Sequence, residues 1–226
     1  MNFINLNEQE NTNHRLANAG VLLYAPSTCY IDKDVIIGAG TTIFPNTVIL
    51  GKTIIGTNCA IGPNTVIENC VIGNENEILS SHLIRATVEN NVKIGPFAYL
   101  RPDAHIKSNA KIGDFVEIKN AVIGEGTKVS HLTYVGDCDV GKECNFGCGS
   151  VVVNYNGKEK FRSKIGDYAF IGCNTNLVSP VTVGAFGYTA AGSTIVQNVP
   201  DGALAIARAK QENKEEWVTR KGYLNK

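Results

Sequence analysis

Residues 31–72 read IDKDVIIGAGTTIFPNTVILGKTIIGTNCAIGPNTVIENCVI. Ile31, Ile37, Ile43, Ile49, Ile55, Ile61 and Ile67 recur at every sixth position, and several are followed by glycine, as in Ile37–Gly38, Ile55–Gly56 and Ile61–Gly62. A step of six does not suit a helix. At about 100° per residue, positions six apart point about 120° away from a common face. Six is an even step, and on a strand positions two apart share a face. Each unit therefore reads as a short strand with one aliphatic side chain inward and a turn behind it.

The pattern extends over most of the chain. Its phase slips by one near Ile72 and again around Leu83 and Val88, then resumes through Ile94, Leu100, Ile106, Ile112 and Ile118. Further units open at Ile123, Val129, Val135, Val140, Phe146 and Val152, and a last run at Ile165, Ile171, Leu177, Val183, Thr189 and Ile195. Three units close one triangular coil of about eighteen residues, and coils stack at the inter-strand spacing of about 4.8 Å. Gly, Asn and Asp recur at the corners, where unusual backbone angles are needed. The expectation is a mainly β, single-stranded parallel β-helix over residues 21–200. Two regions break the period. Residues 154–164 (NYNGKEKFRSK) read as a loop thrown out of the coil, and residues 201–226 form a tail in which 208–217 are weakly helical and charged. Residues 1–20 are polar, with a short helix over 5–19 ending at Gly20. A solenoid needs its ends covered, and these terminal segments are placed to do that.

Of the 226 residues, 43% are hydrophobic, enough for a real core. The 21 basic and 21 acidic side chains cancel, so no global charge marks a nucleic acid or membrane partner. No run approaches the ~18 apolar residues of a membrane span. Seven cysteines, an odd number without a CxxC pair, and a polar N-terminus without an apolar leader point to a reducing, cytoplasmic setting. The cysteines read as small buried hydrophobes, and no spacing suits a metal site.

Repeat physics leaves a set of polar letters unexplained: GPFAYLRP (95–102), FVEIKNA (115–121), HLTYVGD (131–137), NFGCGSVVVNYNGKEKF (145–161) and RAKQ (208–211). In this order they resemble the acetyltransferase domain of bifunctional N-acetylglucosamine-1-phosphate uridyltransferase/glucosamine-1-phosphate N-acetyltransferase, a branch of the hexapeptide-repeat acyltransferases. The similarity runs from about Gly20 onward. It implies a left-handed winding, a homotrimer with sites at subunit interfaces, and acetyl transfer from acetyl-CoA to the amine of glucosamine-1-phosphate, on the route to UDP-N-acetylglucosamine and cell-wall polymers. It implies no metal for the acetyl transfer. The nucleotide-binding half of such proteins, with its Gly-rich loop and βαβ alternation, has no counterpart in these residues.

The chemistry asks for a base, an oxyanion donor, cations for the sugar phosphate and a groove for CoA. His131 is the candidate base, because an imidazole ordinarily titrates at about 6.5 and accepts a proton at neutral pH. By resemblance Glu117 orients or polarises it. Arg101, Lys119 and Lys160 match phosphate-binding positions, with Arg offering a planar fork and Lys a point charge. Tyr134 and Asn145 match further sugar-binding positions. Asn154 and Tyr155 match acetyl-CoA contacts that place the thioester, where an amide or backbone N–H would serve the oxyanion. Ala191 and Arg208 match later CoA contacts. Cys148 and Cys173 stand where the family commonly has alanine and serine, and both would line the CoA groove. The basic loop, with Lys158, Lys160, Arg162 and Lys164, is placed to reach a neighbouring subunit. His14, His82 and His105 read as surface residues. Two other readings use the same scaffold: a hexapeptide acyltransferase for another amino-sugar or hydroxyl acceptor, and a non-catalytic scaffold or regulatory subunit.

Overall fold

Every side chain that opens a six-residue unit lies inside. The computed structural model, which describes residues 6–223, winds these units into a parallel β-solenoid whose strands mostly span two or three residues. The inward residues stack in three columns. One runs Ile43, Ile61, Ile78, Ile94, Ile112, Val129, Phe146, Ile171 and Thr189. A second runs Ile31, Ile49, Ile67, Leu83, Leu100, Ile118 and Val135. The third runs Ile37, Ile55, Ile72, Val88, Ile106, Ile123, Val140, Ile165 and Val183. Each column lines one face of a triangular prism. Burying one such aliphatic side chain stabilises the fold by about 1.5–3 kcal/mol, so the columns are the main cohesive element.

The phase slips leave this register intact. Ile55 still pairs with Ile72, and Ile72 with Val88, because the missing residue is taken out of a corner. Buried threonines tie coil to coil at the corners. Thr41 Oγ1 donates to the Gly56 carbonyl at 2.8 Å and accepts from the Cys59 N–H at 3.0 Å. Among the described residues, no buried side-chain nitrogen or oxygen lacks a partner.

Helix α1 (Leu6–Asn18) lies at the N-terminal end. It buries Leu16, and Arg15 donates to the Val35 carbonyl at 3.0 Å. The helix closes at Gly20, whose φ of 85° allows Gly20 N–H to reach Ala17 and Val21 N–H to reach Leu16. The first residue of the expected helix, Asn5, lies outside the described residues. The C-terminal expectation needs correction: residues 208–216 are not helical, and only Trp217–Arg220 form a short helix, α2. All of 206–223 is exposed, so no apolar stripe is buried to sustain a longer helix. The expelled segment is also shorter than the spacing suggests. Ser163 and Lys164 already belong to the strand Ser163–Ile165, where Ser163 is buried and pairs with Cys138. Among the described residues no helix is long and apolar enough to cross a membrane.

Candidate functional site

Two long strands, Glu117–Ile123 and Tyr134–Val140, run around one corner and pair in register on either side of Asn120 and Asp137. They carry most of the motif letters. On the face ahead of that corner, outward positions alternate with the buried column, which stacks Tyr99, Glu117 and Tyr134 in register. Arg101 and Lys119 stand two residues further along the same strands. Arg101 Nη1 donates to Glu117 Oε1 at 2.7 Å, and this bond pushes the guanidinium's pKa up. Glu117 therefore serves Arg101, contrary to the expectation that it orients His131.

The carboxylate against His131 is Asp114. Its Oδ1 lies 2.5 Å from His131 Nδ1, and the two residues sit in register on adjacent coils. The bond from His131 holds the Asp114 carboxyl below the usual carboxylate range. An ionised carboxylate only accepts, so Nδ1 carries a proton, and in the neutral ring this contact selects the tautomer whose Nε2 keeps its lone pair. Asp114 was legible in principle. The units at Ile118 and Ile123 are one residue closer than six, and a coil shortened by one brings position 114, not 113, over 131.

His131 lies two residues after inward Val129, at the end of the strand Lys128–His131 on the neighbouring face, at the corner that face shares with the face of Tyr134. Cys148, Cys173 and Ala191 each follow their inward residue, Phe146, Ile171 and Thr189, by the same two positions. These four therefore form one column at one corner, which brings the base and three expected CoA positions into line. Close packing of coils makes this column tight. A Cβ on Gly147 would come within 2.4 Å of the Cys173 nitrogen. Asn174 N–H donates to the Cys148 carbonyl at 2.8 Å, and Gly192 N–H to the Cys173 carbonyl at 2.8 Å. Arg208 approaches the end of this column, its Cδ about 3.8 Å from where a Gly192 Cβ would be. Five cysteines are buried, as the sequence suggests, whereas Cys148 is half-buried and Cys173 exposed.

The opposite corner holds a buried polar ladder. Asp137 Oδ1 accepts from Asn120 Nδ2 at 2.5 Å, and Oδ2 accepts from Asn154 Nδ2. Lys119 Nζ lies 3.7 Å from Oδ2. Asn154 Nδ2 is also 3.4 Å from Tyr134 Oη. Gly136 makes this approach possible, since a Cβ there would lie 2.3 Å from Tyr134 Oη. The Asn154 amide is thus turned toward Asp137 and Tyr134, so its side chain roots the loop. The loop itself doubles back, with Tyr155 bridging Lys160, and Arg162 closes it with a fork onto Asp139, at 2.8 Å from Nε and 2.5 Å from Nη2. Arg162 also donates to the Asn120 carbonyl at 2.8 Å, so it is a structural clasp and not a free loop cation. Burial opposes the Asp137 charge, but the Asn120 and Asn154 bonds, with Lys119 and then Lys160, hold its carboxyl below the ordinary range.

Asn145 is the one expected substrate residue that stands apart. It pairs with Lys128 and Phe170 on the neighbouring face, across the corner from Tyr134. Sequence reasoning missed Asp114, Asp137 and Asp139. His105, read as a surface residue, pairs with Glu89 at 3.0 Å.

A stacked-coil prism of six-residue units defines the class, a hexapeptide-repeat β-solenoid, here with a carboxylate-held histidine at one corner. The family described as bacterial transferase hexapeptide (six repeats) matches residues 34–69 and 85–120. More particularly, it is similar to bifunctional protein GlmU, with 54% identity to that of Clostridium beijerinckii over 98% of this chain and 53% to that of Clostridium acetobutylicum over 96%. In both cases 47% of the relative is covered, so the chain spans about half the length of these proteins. Among solved structures, the UDP-N-acetylglucosamine acyltransferase of Francisella novicida matches 89% of this chain and 74% of its own, with a TM-score of 0.50 and 19% identity, a likeness of fold.

Proposed function

We propose that this chain transfers an acetyl group from acetyl-CoA to the amine of glucosamine-1-phosphate. The observation that carries the reading is His131, held through Nδ1 by Asp114 and leaving Nε2 to accept a proton, in line with the column of Cys148, Cys173 and Ala191. The sugar nitrogen attacks the thioester carbonyl, His131 Nε2 takes the proton that nitrogen sheds, and the C–S bond breaks to release CoA thiolate. Arg101, Lys119 and Lys160 supply positive charge for the sugar phosphate, with Tyr134 beside them. Cys148, Cys173, Ala191 and Arg208 form the CoA track, and Tyr155 extends from the loop rooted by Asn154.

A homotrimer completes this reading. Asn145 faces away from Arg101, Glu117 and Tyr134, so a second copy is needed to bring all of them to one substrate. Phe97, Phe115 and Leu132 supply a seam for it. They are more than half exposed, Phe97 stacks on Phe115 at 5.4 Å, and Leu132 adjoins His131. All three hold positive φ, at 59°, 55° and 46°, a strained conformation for bulky side chains, and exposed apolar patches of this kind mark interfaces. Seven free thiols fit a cytoplasmic setting.

Release of CoA thiol from acetyl-CoA tests the proposal, with glucosamine-1-phosphate, glucosamine-6-phosphate, free glucosamine and hydroxyl acceptors in parallel and the protein's own thiols subtracted. Release that requires glucosamine-1-phosphate and is lost in His131→Ala supports it. Release with a different acceptor assigns another acyl transfer to the same site, and no release with any acceptor supports a scaffold.

A further inference from the structure

Asp137, the centre of the Asn120–Asp137–Asn154 ladder, has no role assigned above, yet it touches residues of both substrate subsites. Asp137 is 6% exposed and holds a φ of 48° at the corner between two faces. Its two oxygens accept from two amides and face one ammonium, so all the neighbours are donors. Lys119 belongs to the proposed phosphate set. Asn154 is the first residue of the loop that carries Tyr155 and Lys160, and its own carbonyl accepts from the Phe161 N–H at 2.9 Å.

We propose that Asp137 is a positioning residue that couples the two subsites, fixing Lys119 for the amino-sugar phosphate and the root of the 154–162 loop for acetyl-CoA. The inference rests on the proposed acetyl transfer. Its physical basis is donor–acceptor parity. A carboxylate offers about four acceptor sites and no donor, which matches three donors converging on it. An amide in its place would turn an N–H toward one of the two asparagine amides and leave Lys119 without a counter-charge. Burial acts against the charged form, but the Asn120 and Asn154 bonds, with Lys119 and Lys160, hold the carboxyl below its ordinary range. The ladder is therefore charged and closed before either substrate arrives, so neither binding step has to order it.

Steady-state kinetics on Asp137→Asn, with thermal melting alongside, test the coupling. The expected result is a rise of about tenfold in KM for both glucosamine-1-phosphate and acetyl-CoA, the size of one charge-assisted hydrogen bond. In a Lys119→Met background the further effect of Asp137→Asn on the sugar-phosphate KM shrinks below about twofold, because coupled residues do not add, while the effect on acetyl-CoA persists. Asn120→Gly keeps the left-handed backbone and removes one rung, so it serves where Asp137→Asn does not fold, with smaller increases in both KM values. Unchanged KM values beside a lowered Tm would make Asp137 merely structural, and a change in one KM alone would end the coupling. Wild-type activity reports on the underlying reaction separately. An active wild type with an indifferent Asp137→Asn sinks the coupling alone, and an inactive wild type overturns both.

Discussion

Asp114 Oδ1 accepts a hydrogen bond from His131 Nδ1 at 2.5 Å, across coils separated by 17 positions. This contact fixes which ring nitrogen holds the proton. Replacing Asp114 with Ala frees the ring to rotate and to adopt the other tautomer. We expect kcat to fall about 10- to 100-fold, as for the loss of a charge-assisted hydrogen bond that orients the base. His131→Ala should cost more, about 10²–10⁴-fold, as expected for a lost general base. Glu117→Gln should instead raise the KM for sugar phosphate, because Glu117 holds Arg101. A kcat loss in Glu117→Gln as large as that in Asp114→Ala would contradict this assignment.

Arg162 and Asp139 close the expelled loop with a half-exposed fork. Exposed pairs contribute only about 0–1 kcal/mol to global stability, so Arg162→Ala should hardly move Tm. Local opening is another matter, since the clasp joins the loop's exit to both Asp139 and the Asn120 carbonyl. Trypsin should cut after Lys158 or Lys160 several times faster in Arg162→Ala than in the wild-type chain. Equal cleavage rates would show that the clasp does not hold the loop.

Acid should weaken the same corner. Arg162 holds the Asp139 carboxyl below its ordinary range, and the Asn120 and Asn154 bonds do so for Asp137 against the opposing effect of burial. A carboxyl with a depressed folded pKa contributes stability that is present above its unfolded value, about 3.9, and is lost as pH falls through the lower folded value. Tm should therefore decline as pH drops below about 4, and Asp139→Asn should flatten that part of the curve. A parallel decline in wild type and variant would remove Asp139 from the account.

Thiol labelling should divide the cysteines. Burial pushes the Cys138 thiol up to about 12, and Cys59, Cys70 and Cys144 are also raised by burial, so these four stay protonated and inaccessible. Brief alkylation of the native protein followed by peptide mass spectrometry should find Cys173 labelled first and Cys148 second. Acetyl-CoA should protect both if the corner column is its track. Labelling that ignores acetyl-CoA would place the cofactor elsewhere.

The six-residue period settled which side chains turn inward, from Ile31 to Ile195, because that choice depends only on alternation along one strand and the need to bury aliphatic groups. The sequence motifs likewise marked His131, Arg101, Lys119 and Tyr134 as more than repeat filler. Contacts between coils were a different matter. Which residue meets His131 depends on the vertical register of coils about seventeen residues apart, and one residue removed from a corner brings Asp114 in place of Gly113. The Asn154 amide, matched from sequence to acetyl-CoA contacts, also bonds Asp137, a partner 17 positions away that the motif does not announce. The tail over 208–216 had helical letters but no apolar stripe buried, so local propensity was not enough to form a helix. The sequence by itself determined the prism and its inward columns, because alternation is local. Only the tertiary structure decided which polar side chains meet, because that is set by the summed length of every coil between them.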